Sequence, residues 1–195
     1  ELFGETEGIL VLKGSWPGQL RSLYNDKERF AETYLNKYPG YYLTGDGVKR
    51  DSDGALAITG RIDDTLNISG RLLGTAEIES ALILHKDVSE AAAVATSHPV
   101  KGWSISSFVT LNNGTEEKPR LKEELVDIVS REIGSYAKPD KIYCVESLPK
   151  TRSGKIMRRI IREISNGNIS GFGDTSTLSN PEAVGQIIRK LGLES

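Results

Sequence analysis

Sulfur, histidine and tryptophan are scarce in this sequence: among 195 residues stand one cysteine, one methionine, two histidines and two tryptophans. A single cysteine, Cys144, excludes an internal disulfide. Its place in the apolar run Ile142 to Val145 is that of an inert thiol in a buried strand, and fits a reducing compartment. An excess of either charge is also missing. With 25 basic and 27 acidic residues interspersed, the net charge is -2, and no overall field favours a nucleic acid or a membrane as partner. No apolar stretch approaches the roughly 20 residues that span a bilayer, and no signal-like segment opens the sequence. A soluble, cytoplasmic protein is expected. The chain starts at Glu1 and enters at once upon the strand-like run Gly8–Lys13, which reads as a piece of something larger whose address signal would lie elsewhere. A hydrophobic content of 37% suffices for one ordinary domain plus a remnant, or for two small domains.

A nucleotide-binding P-loop is lacking as well. It needs a glycine five positions before Gly154 and Ser or Thr after Lys155, where this sequence has Pro149 and Ile156; kinase and GTPase chemistry is disfavoured. What stands there is Pro149-Lys150-Thr151-Arg152-Ser153-Gly154-Lys155, opening a helix that carries Arg158, Arg159 and Arg162. Ile156, Ile160, Ile161 and Ile164 recur at helical spacing behind the lysine. Lys155 thus sits on a glycine hinge with an anchored base, as a compact charge suited to a phosphate or carboxylate. A solvated basic helix after an ordinary Ser-Gly turn fits the same residues.

Residues 1 to 60 read as a strand at Ile9–Leu12, a helix from an Asp26 N-cap to about Lys37, a strand at Tyr41–Thr44, and a hairpin of Val48–Arg50 and Ala55–Thr59 around Asp51–Gly54. Near Arg61 to Asp64 the pattern changes to short strands alternating with helices. A strand is expected at Leu66–Ile68, a helix capped by Thr75, strands at Ala91–Ala95 and Ser106–Leu111, a helix from about Arg120 to Ile133, a strand at Lys141–Val145 and then the lysine helix. These make an α+β two-layer domain with a short mixed sheet and flanking helices. Residues 166–180 read as a wrapped tail and Pro181–Leu191 as a last helix. The domain division is 1–62, 63–165 and a tail at 166–195.

Three features accompany the basic loop. Tyr42-Leu43-Thr44-Gly45-Asp46-Gly47 places Asp46 on a glycine turn at a strand end, where a carboxylate can accept both hydroxyls of a ribose; an ordinary turn aspartate looks the same. Gly60-Arg61-Ile62-Asp63-Asp64 sets an arginine and two carboxylates at the inferred boundary. Ser69-Gly70-Arg71-Leu72-Leu73-Gly74 is a glycine-bracketed loop before a helix N-terminus, which can receive phosphate.

In this order and spacing, with Trp16-Pro17-Gly18-Gln19, Ile58–Asp64, Thr75-Ala76-Glu77-Ile78-Glu79, Ser147–Lys155 and the late Gly173-Asp174-Thr175-Ser176-Thr177-Leu178, the sequence resembles the adenylate-forming superfamily of acyl-CoA synthetases. Within it, the resemblance is closest to the acetyl- and propionyl-CoA branch and covers nearly the whole chain. It implies the end of a large nucleotide-binding domain followed by a small mobile C-terminal domain. The implied reaction has two halves: acetate attacks the α-phosphate of Mg2+-bound ATP to give acetyl-adenylate and pyrophosphate, and coenzyme A then displaces AMP. The resemblance assigns Asp46 to the ribose, Arg61 to the nucleotide, Asp63 to the hinge and Lys155 to the charge at the reacting carboxylate and α-phosphate. It also implies reversible acetylation of Lys155, hence an acetyltransferase and a deacetylase as partners. Ser69 and Gly70 match the pantetheine tunnel of coenzyme A, and His85 with the backbone of Ile83 and Val88 a bound-cation position, although a histidine closing a helix is the commoner reading of the same residue.

Two positions depart from the superfamily's pattern. Its usual phosphate-contacting arginine falls at Leu72, with Arg71 one position early, and the arginine for the CoA 3'-phosphate falls at Ser130, with Arg131 adjacent. A one-residue shift redirects a side chain. A propionyl-CoA synthetase or other short-chain acyl-CoA ligase, and a non-catalytic module that holds an anionic partner on its basic helix, remain open alternatives.

Overall fold

The computed structural model describes residues 2–68, 71–100, 102–172 and 175–193, and the chain divides into two compact units at Thr65/Leu66.

In the first unit β1 (Thr6–Lys13), β2 (Tyr41–Arg50) and β3 (Leu56–Arg61) form an antiparallel sheet in the order β1-β2-β3. Helix α1 (Lys27–Tyr34) starts where Asp26 accepts a 3.1 Å hydrogen bond from the Arg29 N–H, as expected of an N-cap. Tyr34 stacks on Tyr42 at 5.0 Å and Trp16 meets Tyr42 edge-on at 5.2 Å, which fastens α1 and the preceding loop to β2. The expected break between Thr44 and Val48 does not occur. Strand β2 runs through Gly45-Asp46-Gly47, and the register shifts between Ile9 and Val11 on β1 and between Gly47 and Val48 on β2 take up the irregularity. No described residue of this unit is fully buried, and Leu56 and Ile58 are 59% and 61% exposed. Three strands and one short helix leave it almost no core of its own.

The second unit opens with the two-stranded pair β4 (Thr65–Ile68) and β5 (Arg71–Gly74), followed by α2 (Thr75–Ile83). Its main sheet has the order β6-β7-β8, with β6 (Val88–His98) antiparallel to β7 (Gly102–Leu111) and β8 (Lys141–Cys144) parallel to it. The expected α+β class with a short mixed sheet and flanking helices is what the chain adopts.

Both faces of that sheet are covered. On one, Ala91, Ala93, Ile105 and Val109 pack with Ile78 and Leu82 of α2 and Leu121, Leu125 and Val129 of α3 (Leu121–Glu132). On the other, Ala92, Val94 and Phe108 meet Ile160, Ile161 and Ile164 of α4 (Arg158–Ser165) and Ile187 of α5 (Glu182–Lys190). Such two-sided burial turns β6 into a nearly continuous apolar run. Three of the polar residues inside satisfy one another: Thr96 Oγ1 lies 3.0 Å from both Ser104 Oγ and Ser106 Oγ.

Two local expectations need correction. Thr75 does not cap α2: Gly74 holds the N-cap position with no side-chain hydrogen bond, and Thr75 is the buried first helical residue, because β5 runs straight into the helix. Lys155 does not open a helix either. Lys150 bridges Ile156 across a tight loop, and α4 begins only at Arg158. Cys144 is buried in β8, and burial pushes its thiol pKa up to about 11, so it stays protonated at neutral pH. Among the described residues no helix is long and apolar enough to cross a membrane.

Candidate functional site

The pairing of β2 with β3 sets Asp46 directly opposite Arg61. Arg61 Nη1 donates to the Thr44 carbonyl at 2.9 Å and lies 3.5 Å from Asp46 Oδ1. Thr44 Oγ1 donates to the Leu10 carbonyl at 2.9 Å and accepts the Asp46 N–H at 3.1 Å. The carboxylate is therefore set by its own backbone and faced by a cation, while still partly open to solvent. Thr33, Tyr34, Lys37, Tyr42, Leu43, Gly45 and Ile62 join Thr44 and Arg61 around a groove of about 610 Å³. This groove offers aromatic surface, two cations and backbone polar groups within one unit, the chemistry that suits a flat anionic ligand.

Gly45 makes this packing possible. Its φ is +82°, and a Cβ there would lie 2.5 to 2.7 Å from the Arg61 guanidinium. That guanidinium ends a flexible side chain and can swing away, so the steric cost of a methyl group is displacement of Arg61 rather than collapse. The backbone cost is separate, about 1–2 kcal/mol for a left-handed non-glycine residue. Gly45→Ala is expected to lower the stability by that modest amount, read from the denaturation midpoint and slope, and to release Arg61 from Thr44 and Asp46. A guanidinium that keeps its hydrogen-bond signature in NMR spectra of the variant would contradict the second expectation.

In the second unit Lys155 is exposed, on a loop whose backbone is closed on itself. Thr151 N–H donates to the Lys155 carbonyl at 2.9 Å, Lys155 N–H to Thr151 Oγ1 at 3.1 Å, and Gly154 N–H to the Thr151 carbonyl at 2.8 Å. Gly154 has φ +81°, which a tight turn of this kind requires. Among the described residues nothing pairs with the Lys155 ammonium.

The base of the loop is anchored by contacts that sequence reasoning did not find. Arg158, three residues on, gives Nε and Nη2 to the two oxygens of Glu79 at 2.7 and 2.5 Å, and Glu79 Oε1 also accepts the Ala93 N–H at 2.9 Å. Lys150 Nζ reaches Glu90 at 2.5 Å. The available signal was Glu79 itself, a carboxylate among Ile78, Ala81 and Leu82, where an inward apolar position was due.

The remaining assignments fall out as follows. Asp63 lies in the 3₁₀ turn Ile62–Asp64, where Thr65 Oγ1 donates to the Arg61 carbonyl at 3.0 Å. Ser69 and Gly70 lie outside the described residues, and Arg71 and Leu72 are placed only as members of β5. Arg131 is an exposed residue in the last turn of α3, 3.0 Å from Glu132.

The cation position expected at His85 with the backbone of Ile83 and Val88 falls where α2 ends and β6 begins. His85 accepts the Asp87 N–H on Nδ1 at 3.2 Å and faces Glu124 with Nε2 at 3.1 Å. Its carbonyl accepts the Val88 N–H at 3.0 Å, and at Ile83 and Val88 only the backbone could contribute to such a site. Among the described residues no group of three or more His, Cys, Asp or Glu could hold a metal. Next to this histidine, a hydrogen bond from Lys118 holds the Asp87 carboxyl below its usual range.

Residues 77–155 match the family model described as the AMP-binding enzyme C-terminal domain. The chain belongs to the adenylate-forming, AMP-binding enzyme family. Its relatives within that family include the acetyl-coenzyme A synthetase of Bartonella henselae, 57% identical over 187 residues, and acetyl-coenzyme A synthetase 2 of Pseudomonas aeruginosa, 53% identical over 188. Both alignments cover 96% of this chain but 29% of the relative, so the chain spans less than a third of their length. Among solved structures, the anthranilate CoA ligase AuaEII in complex with anthranoyl-AMP is similar at TM-score 0.74 and 26% identity, over 85% of this chain and 31% of that one. Acetoacetyl-CoA synthetase from Streptomyces lividans shares the fold at TM-score 0.81 and 21% identity, over 97% and 29%. The AMP-binding C-terminal domain model ends at Lys155, on the loop whose geometry singles that lysine out.

Proposed function

We propose that this chain is the C-terminal part of an AMP-forming acetate–CoA ligase, which converts ATP, acetate and coenzyme A to AMP, pyrophosphate and acetyl-CoA through acetyl-adenylate. One observation carries the reading: an ammonium with no partner among the described residues, on a glycine-hinged loop whose backbone closes on itself, in a chain 57% identical to an acetyl-coenzyme A synthetase. A lysine held in this way can meet the negative charge that accumulates when a carboxylate attacks a phosphate, and needs no reorganisation to do so.

In this reading Asp46 accepts the ribose hydroxyls and Arg61 faces the nucleotide, both set by the β2–β3 register. Asp63 is the residue about which the chain changes direction between half-reactions. Ser69, Gly70 and Arg131 are assigned to coenzyme A and Arg71 to a phosphate. Mg2+ would come with ATP and shield its phosphates, and a bound cation is assigned to His85 with the backbone of Ile83 and Val88. The cytoplasm is the proposed compartment, and Lys155 the residue on which an acetyltransferase and a deacetylase would act, since acetylation removes the charge.

The test is acetate-dependent ATP–pyrophosphate exchange by the complete protein that carries this sequence, followed by acetyl-CoA formation when coenzyme A is added. Propionate in place of acetate separates the two short-chain assignments: exchange driven mainly by propionate would move the substrate up by one carbon. Nucleotide binding without exchange on either acid would reject the ligase and leave an anion-binding module.

A further inference from the structure

The loop that carries Lys155 is held from one side by a segment more than twenty residues downstream. Asn180 uses both ends of its side-chain amide on the loop's entry: Oδ1 accepts the Lys150 N–H at 2.9 Å, and Nδ2 donates to the Leu148 carbonyl at 2.8 Å. Ser179 gives its N–H and its hydroxyl to the Lys150 carbonyl at 2.9 and 3.2 Å. Arg152 N–H donates to the Thr177 carbonyl at 3.1 Å, and Thr151 bridges Leu178. On its other side the same loop pairs with its own return through the Lys150–Ile156 bridge and the bond from Thr151 N–H to the Lys155 carbonyl. Lys150 to Arg152 thus lie in the middle of a three-stranded patch whose outer edge is Thr177–Asn180.

We propose that Thr177–Asn180 is a brace that sets the position of Lys155, with Asn180 as its principal positioning residue. Each loop residue released from one backbone conformation gains conformational entropy, which favours release. Exposed Arg152, Ser153 and Gly154 have little packing to oppose that release. Asn180 is suited to the task because a single planar amide satisfies a donor and an acceptor on either side of Pro149, whose ring offers no N–H of its own. The brace touches no reacting atom and acts only through the lysine; it rests on the proposed role of Lys155 in adenylation.

The experiment compares Asn180→Ala, Asn166→Ala and Lys155→Ala in the complete protein. Asn166 is a matched control: it bonds Ser97 N–H at 2.9 Å and the Ala95 and Arg162 carbonyls, away from the lysine loop. Asn180→Ala is expected to lower kcat for acetate-dependent pyrophosphate exchange between about 10-fold and 100-fold, the range associated with a catalytic group displaced by an ångström. It should leave conversion of supplied acetyl-adenylate to acetyl-CoA within twofold and speed trypsin cleavage after Arg152 and Lys155. Asn180→Asp keeps the acceptor for Lys150 N–H and should lie between the parent and the alanine variant; it also serves if Asn180→Ala does not fold. Exchange unchanged in Asn180→Ala while Lys155→Ala abolishes it would overturn the brace and leave the ligase reading standing. An equal loss in both half-reactions, or the same loss in Asn166→Ala, would show general destabilisation and also overturn it. If Lys155→Ala leaves exchange intact, the role of the lysine fails and the brace fails with it.

Discussion

Lys155→Ala is expected to reduce acetate-dependent ATP–pyrophosphate exchange in the complete protein by about three orders of magnitude. Two unit charges near 4 Å at an effective dielectric of about 20 interact by roughly 4 kcal/mol. If the charge is felt mainly in the transition state, each 1.36 kcal/mol is tenfold in rate. The loss should be confined to one half-reaction: supplied acetyl-adenylate should still react with coenzyme A at close to the parent rate. Lys155 is exposed and its ammonium has no partner among the described residues, so its removal breaks no structural contact and the fold should be unaffected. Lys155→Arg keeps the charge but replaces a compact ammonium with a larger planar fork, and should recover only part of the activity. Equal loss in both halves, with a lowered melting point, would mean that the side chain supports the loop instead.

The loop itself was legible in the sequence because its signals are local. Ser153-Gly154 marks the turn, and the isoleucines at 156, 160, 161 and 164 show which side is anchored. Asp26 as N-cap and the helix from about Arg120 to Ile133, observed as α3, were legible for the same reason. Strand lengths were not. Thr96, Ser97 and Ser104 look like loop residues, yet β6 and β7 run through them, because Thr96 and Ser104 satisfy each other's hydroxyls within the sheet. Thr44–Gly47 reads as a turn for similar reasons, and only the irregular register shows how a strand absorbs two glycines. Asp46 opposite Arg61, and Lys155 as the charge-bearing residue, came from resemblance to a family; no periodicity links positions 46 and 61. The contacts that fix the lysine loop join residues 79 to 158 and 150 to 180. Pairings over such distances leave only indirect traces, a carboxylate on an apolar helix face in one case and an asparagine before a proline in the other.

Arg158→Met is expected to destabilise the second unit by about 3–5 kcal/mol, the cost of leaving a buried charge without its counter-ion. Glu79 is only 6% exposed. Without the guanidinium its carboxylate would keep one hydrogen bond, from the Ala93 N–H. That bond explains why a carboxylate stands there at all: β6 is an edge strand of the β6-β7-β8 sheet, and Glu79 satisfies a backbone donor that no neighbouring strand can reach. A neutral amide can do the same without a charge to bury. The double variant Arg158→Met with Glu79→Gln should therefore recover more than half of the lost stability, read as the shift in urea midpoint at constant slope. Glu79→Met with Arg158→Met should recover less, since the Ala93 N–H is then left buried without an acceptor, at about 1–3 kcal/mol. A double variant with Gln no more stable than Arg158→Met alone would place the cost in the lost packing of the arginine stem between α2 and α4, and the charge account of this contact would have to be given up.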